Sequence, residues 1–168
     1  YFIKKKIIKT SKKNITEIYK SIGSDVILGL NFTNSILTST NKVKLFRKCK
    51  IFHALIIKPN FGCSTKQIYS NVKKFNKPKI KYPLKKMFDL NYLKKMDNSL
   101  EHIALLKYPK LRLIKSYLES LSNPVFVRMT GSGSALVAYF QSKERCLSAK
   151  KMFNKKYKNY WCIASKNI

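Results

Sequence analysis

Apolar positions recur along this chain with two distinct periods, and the changes of period divide it into elements. Between residues 11 and 22, Ile15, Ile18, Tyr19 and Ile22 stand at i, i+3, i+4 and i+7. That spacing lines one face of a helix. Ser11 carries the side-chain acceptor an N-cap needs, and Gly23 suits the position just past the last turn. Gly23-Ser24-Asp25-Val26 then predicts a turn, followed by an apolar run to Leu30. Ser35 to Ser39 and Val43 to Phe46 predict a pair of short strands around Thr40-Asn41-Lys42.

From residue 52 the pattern changes to apolar runs separated by amphipathic stretches. Phe52 to Ile57 predicts a buried strand that ends at Pro59 and Gly62. Ser64 or Thr65 caps a following helix whose Ile68, Tyr69, Val72 and Phe75 form one stripe. Residues 76–84, rich in proline and lysine, predict an exposed loop. Three helices follow: one with Tyr92, Leu93 and Met96, one over 100–106 and one over 111–121, the last two separated by Pro109. Strands are predicted over 125–129 and 135–140 with a Gly/Ser loop between them. A helix from Ser142 through Phe153 turns Cys146, Ala149 and Phe153 inward, and Tyr160 to Ala164 closes as a strand. The order β-α-(α)-β-β-α-β is the split βαβ, ferredoxin-like plan with extra helices in its first crossover, an α+β fold. The helix and hairpin before it fall outside that unit, so two domains are expected, 1–47 and 48–168.

Composition narrows the classes. The 168 residues are 45% hydrophobic, enough for one core. Five glycines and five prolines exclude collagen-like and low-complexity chains. The longest run without a charge, Val26 to Asn41, is short and studded with Asn, Ser and Thr, so no membrane partner is expected. Four cysteines without a CxxC pair predict reduced thiols in a cytoplasmic protein. The opening YFIKKKIIK lacks the apolar stretch of a signal peptide. A net charge of +29 attracts any polyanion, with steep salt dependence. Yet only 4 of the 36 basic residues are Arg, and the lysines are dispersed. Readers of phosphate and base edges favour the bidentate guanidinium. Lys, Asn and Ile all have codons rich in A and T, so genome composition accounts for the charge without a specific nucleic-acid site.

Met129-Thr130-Gly131-Ser132-Gly133-Ser134-Ala135 is the segment richest in chemistry. Glycines alternating with hydroxyl residues let backbone N–H groups approach an anion closely, although an ordinary hairpin turn has the same composition. The run Gly133 to Phe140 brushes against the RNA-recognition signature, but Ser134 and Leu136 stand where stacking rings belong. Asp25 is one of seven acidic residues and stands two positions after Gly23. It suits a proton-accepting carboxylate or, equally simply, an N-cap. His53 and His102 have no second ligand at metal-binding spacing, and Cys63 has no histidine nearby in sequence to activate it.

Four segments in this order resemble the GHMP kinase family: Gly23-Ser24-Asp25-Val26; Lys58-Pro59-Asn60-Phe61-Gly62-Cys63-Ser64-Thr65; Asn98-Ser99-Leu100-Glu101 with Tyr108-Pro109; and Met129 to Ala135. The resemblance covers nearly the whole chain. It implies an ATP-dependent kinase, using Mg²⁺, that phosphorylates a hydroxyl of a small molecule, with a monomer or homodimer as the working form. Within the family, Asn98-Ser99-Leu100-Glu101 and the segment ending at Thr65 point to members that act on a cytidylylated methylerythritol in isoprenoid biosynthesis. Members acting on homoserine, mevalonate or sugars remain open, as does a freestanding basic RNA- or ligand-binding module. The resemblance makes Asp25 the catalytic carboxylate. It puts Gly131, Ser132, Gly133 and Ser134 on a loop that closes over the nucleotide phosphates and substrate, and Thr65 along the substrate channel. Ile27 replaces the proline the family carries after Asp-Val, and Ser99 replaces an aspartate. The family's main glycine-rich phosphate loop and its lysine-bearing strand have no counterpart here. They are expected upstream of Tyr1, so these residues alone are expected neither to hold ATP firmly nor to turn over.

Overall fold

The structure, a computed structural model, describes residues 11–23, 26–29, 33–40, 42–73, 80 and 82–167. The chain divides into two units, Tyr1–Arg47 with Ile80–Pro83, and Lys48–Lys79 with Leu84–Ile168.

In the first unit, helix α1 (Lys12–Ile22) starts at Ser11, whose Oγ accepts the Asn14 N–H at 3.1 Å. It ends at Gly23, whose N–H reaches the Tyr19 carbonyl at 3.0 Å. The apolar run that follows forms one helical turn, α2 (Val26–Gly29). Strands β1 (Asn34–Leu37) and β2 (Val43–Phe46) pair antiparallel, with Ser35 opposite Leu45. The first strand stops short of the predicted Ser39. Thr38 exchanges hydrogen bonds with Lys42 there, its N–H donating at 2.9 Å and its Oγ1 accepting at 3.1 Å, and that closes the turn.

The second unit runs β3 (His53–Lys58), α3 (Thr65–Ser70), a 3₁₀ turn (Lys85–Phe88), α4 (Leu90–Lys94), α5 (Glu101–Lys107), α6 (Pro109–Glu119), β4 (Phe126–Met129), β5 (Leu136–Phe140), α7 (Lys143–Lys156) and β6 (Trp161–Lys166). The four strands make one sheet in the order β4-β5-β3-β6, every pair antiparallel. This is the ferredoxin-like arrangement that the element order implies.

Strand alternation decides which face is buried. Leu55 lies opposite Ala138 and Ala164, and Ile57 opposite Leu136 and Cys162. These positions, with Val127, Met129 and Phe140, pack against Leu111, Ile114 and Leu118 of α6 and Cys146, Ala149 and Phe153 of α7. Phe153 also stacks on Tyr157, with centroids 4.9 Å apart, and that ring stacks on Tyr160 at 5.1 Å.

The predicted stripe after Thr65 is corrected in one respect. Ile68 is fully buried, but Tyr69 is 49% exposed and Val72 lies past the helix end; Phe75 is outside the described residues. Asn71 takes a non-helical conformation, and its side-chain amide caps the Gln67 carbonyl at 2.7 Å, so the helix stops after six residues. In the predicted exposed loop, Tyr82 is exposed but Pro83 is buried, while 76–79 and 81 lie outside the described residues.

Phe153 joins the sheet core to the tyrosine cluster and has no exposed surface. Phe153→Ala is expected to cost about 3–5 kcal/mol of stability, read as a lower urea midpoint at unchanged slope. A loss under about 1 kcal/mol would mean the cluster repacks without the ring.

Candidate functional site

The glycine segment is the hairpin between β4 and β5. The Thr130 N–H donates to the Ala135 carbonyl at 2.9 Å, and the Gly133 N–H to the Thr130 carbonyl at 3.1 Å. Gly131 and Gly133 have φ of 57° and 90°, values that disfavour any residue with a Cβ. The two glycines differ in their surroundings. Gly131 has open space where a Cβ would go, whereas a Cβ on Gly133 would meet Met129 Sδ at 2.8 Å and Cys63 Sγ at 3.1 Å.

Side chains from separate elements close on this hairpin from two sides. On one side, Asn98 Nδ2 donates to the carbonyls of Met129 (2.9 Å) and Gly131 (2.8 Å), while its Oδ1 accepts the Leu100 N–H at 3.0 Å. Glu101 Oε2 accepts the Met129 N–H at 2.5 Å, and its other carboxylate oxygen lies 3.4 Å from the Lys115 ammonium. On the other side, Thr65 Oγ1 and Ser132 Oγ share a hydrogen bond of 2.8 Å. Ser134 is fully buried, and its hydroxyl donates to the Phe61 carbonyl. Lys58 Nζ reaches Ser134 Oγ at 3.2 Å, Phe61 O at 2.9 Å and Pro59 O at 3.0 Å. Tyr108 OH accepts the Ser64 N–H at 3.0 Å and so steadies the start of α3.

Beside the hairpin is a cleft of about 530 Å³, walled in part by Tyr69, Asp97, Asn98, Arg128, Gly131 and Tyr139. Arg128 is tied down, donating to the carbonyls of Leu93 and Met96, with its guanidinium 4.6 Å from the Phe126 ring centre. The backbone N–H groups of Gly131 and Ser132 find no partner among the described residues. Two glycines that let an anion approach, free N–H groups and a paired hydroxyl couple are what a phosphate needs. Burial pushes the Cys63 thiol above its ordinary value despite the pull of Lys58, the opposite of what a nucleophilic thiolate requires. Among the described residues no three His, Cys, Asp or Glu side chains gather as a metal site.

Of the residues singled out from the sequence, the structure brings Thr65 and Ser132 into contact and sets Gly131 to Ser134 in one turn. Within that turn the Ser134 side chain faces the interior and serves the inside of the loop. Asp25 lies outside the described residues. Phe140 is buried on the helical face of the sheet, and Tyr139 is stacked on Phe126 with ring centres 4.4 Å apart. Lys58, Asn98 and Glu101 carry the hairpin, yet sequence reading used them only as parts of resembling segments. Their signal was faint: a lysine ending an apolar strand, and an Asn three residues before a Glu.

No family model matches the chain. The chain is 52% identical, over all 168 residues and 60% of the relative's length, to a protein of Pelagibacter ubique named 4-diphosphocytidyl-2-C-methyl-D-erythritol kinase. It is 26% identical to a Syntrophomonas wolfei protein of the same name, across 92% of the chain and 56% of the relative. The chain thus spans under two thirds of the curated relatives it matches. Among solved structures, a 4-(cytidine 5'-diphospho)-2C-methyl-D-erythritol kinase superposes with a TM-score of 0.66 at 19% identity, over 86% of the chain and 54% of that structure. A homoserine kinase from Cytophaga hutchinsonii superposes with a TM-score of 0.55 at 15% identity, over 82% of the chain and 49% of that structure. At these identities the two structures speak for the fold.

The two glycines give the hairpin a measurable asymmetry. Gly131→Ala is expected to cost about 1–2 kcal/mol, the left-handed backbone penalty alone. Gly133→Ala is expected to lose about 1–3 kcal/mol more, because its methyl displaces Met129 and Cys63. Thermal unfolding of both variants checks this, and equal losses would show that Gly133 is not sterically confined.

Proposed function

We propose that this chain is part of a GHMP kinase like the 4-diphosphocytidyl-2-C-methyl-D-erythritol kinases it resembles, and that the full-length protein transfers the γ-phosphoryl group of ATP to the tertiary hydroxyl of 4-diphosphocytidyl-2-C-methyl-D-erythritol. The observation that carries this reading is the 52% identity, sustained over all 168 residues, to a relative of that name. In this reading the hydroxyl oxygen forms a bond to the γ-phosphorus as the bond to the β-phosphate bridge breaks. ADP leaves, and Asp25 accepts the hydroxyl proton.

Phosphoryl transfer is mainly a matter of position and charge stabilisation. The proposed division of labour follows from that. The Gly131 and Ser132 N–H groups and the Ser132 hydroxyl meet phosphate oxygens of nucleotide or substrate. Thr65, bonded to Ser132, lies along the substrate channel. Gly133 and Ser134 hold the hairpin in the conformation that presents those donors. ATP suits this donor set. Mg²⁺ has no carboxylate cluster to hold it among the described residues, and no step is assigned to it. No helix among the described residues is long and apolar enough to cross a membrane. Both proposed substrates are water-soluble, which suits a cytoplasmic enzyme.

The test is a substrate panel with the purified full-length protein. ADP release with 4-diphosphocytidyl-2-C-methyl-D-erythritol, and a phosphomonoester signal in the ³¹P spectrum of the product, are expected. Turnover of homoserine or mevalonate instead would move the enzyme elsewhere in the family. Asp25→Asn is expected to lower kcat by on the order of 10²–10⁴-fold with ATP affinity largely kept. An Asp25→Asn enzyme with wild-type kcat would remove the carboxylate from the mechanism.

A further inference from the structure

We propose that Lys58 is a positioning residue: its ammonium locks the turn after β3 to the glycine hairpin and thereby sets where the Thr65 and Ser132 hydroxyls stand. The catalytic consequence rests on the kinase reading above, whereas the lock is a property of the fold.

An ammonium group has three N–H donors and no acceptor. At Lys58 all three are used, on Pro59 O at 3.0 Å, Phe61 O at 2.9 Å and Ser134 Oγ at 3.2 Å. A lysine head is strongly hydrated, and in a chain with 36 basic residues and 7 acidic ones it has every electrostatic reason to face water. This one turns back onto the oxygens of its own turn. Ser134 completes a closed triangle, since its hydroxyl also donates to Phe61 O. Ser134 is fully buried, so its hydroxyl takes its partners from the protein.

The two loops are therefore joined at two points. One is the Lys58–Phe61–Ser134 triangle, buried at Ser134 and open to solvent at Lys58, and the other is the exposed Thr65–Ser132 hydroxyl pair at 2.8 Å. The outer bond is a neutral one open to solvent and cannot hold two loops in register alone. Because its donors are saturated, Lys58 does not reach out to a substrate phosphate. Its effect on phosphoryl transfer runs through the hydroxyls it places.

Lys58→Met and Lys58→Arg, made in the full-length protein, separate this from a charge effect. A planar guanidinium on a longer stem cannot direct three donors at oxygens that converge on Nζ, so arginine keeps the charge and loses the lock. Both variants are expected to speed amide exchange at 59–65 and 130–135 by roughly 10-fold or more while leaving α7 unchanged. Both are expected to lower kcat/KM roughly 10–100-fold at near-constant melting temperature. Ser134→Ala should give the same exchange pattern, and adding Lys58→Met to it should change little more. Unchanged exchange in the two loops overturns the proposal, and so does full rescue of activity by arginine. Faster exchange in a protein whose wild type phosphorylates none of the panel substrates leaves the lock standing and removes the kinase reading. Should Lys58→Met fail to fold, the arginine variant decides by the same readouts.

Discussion

Backbone polar groups at the end of β4 must find partners away from water, and side chains from the 98–101 segment supply them. Met129 is 1% exposed, and a buried amide or carbonyl left unpaired costs about 1–3 kcal/mol. Its N–H goes to Glu101 and its carbonyl to Asn98. Glu101 is itself mostly buried, and Lys115 answers its charge while bridging to Glu119 at 2.5 Å. A continuous set of contacts thus runs from the exposed end of α6, through the start of α5, to the last residue of β4. The strand cannot slide against the helices without breaking charge-assisted bonds, so the hairpin begins from a fixed point.

The glycines make such fixing necessary. A turn built from Gly131 and Gly133 has little conformational preference and few side chains with which to hold itself. Freedom that permits close approach of an anion also permits many other shapes. The solution seen here is to brace the turn externally, with Asn98 on one flank and Ser134, held by Phe61 and Lys58, on the other. Between the braces the N–H groups of Gly131 and Ser132 are left without protein partners among the described residues. Rigidity is supplied by neighbours and access by the missing Cβ atoms.

Scarcity of acid shapes the rest of the electrostatics. Several of the seven carboxylates in this chain stand at structural joints. Asp89 caps α4 through the Asn91 N–H at 2.8 Å and meets Lys50 at 2.9 Å. The hydrogen bond from Lys50 holds its pKa below the ordinary carboxylate range. Glu144 sits in the first turn of α7, where backbone hydrogen bonding lowers its pKa and a negative charge suits the helix end. Basic side chains find other uses, such as the Lys156 ammonium 4.0 Å from the centre of the Tyr117 ring.

Periodicity and the chemistry of the capping residues were enough for the element order, the cap at Ser11, a cap at Ser64 or Thr65 that the fold gives to Ser64, the helix start at Ser142, and the inward face of α7 at Cys146, Ala149 and Phe153. These depend on neighbours within a turn or on a regular repeat, and such information is local. The glycine loop was equally visible, because its composition announces its backbone. What the linear chain could not express was the partnership of Lys58 with Ser134, 76 residues apart, or of Glu101 with the Met129 N–H. Nothing in either residue's surroundings along the chain distinguishes that lysine from the chain's many others. The inward turn of the Ser134 side chain and the exposure of Tyr69 follow from the same cause. Hydrophobic pattern assigns a residue to a face, but only the packed sheet and helices determine which polar groups are cut off from water and must be answered from elsewhere in the fold.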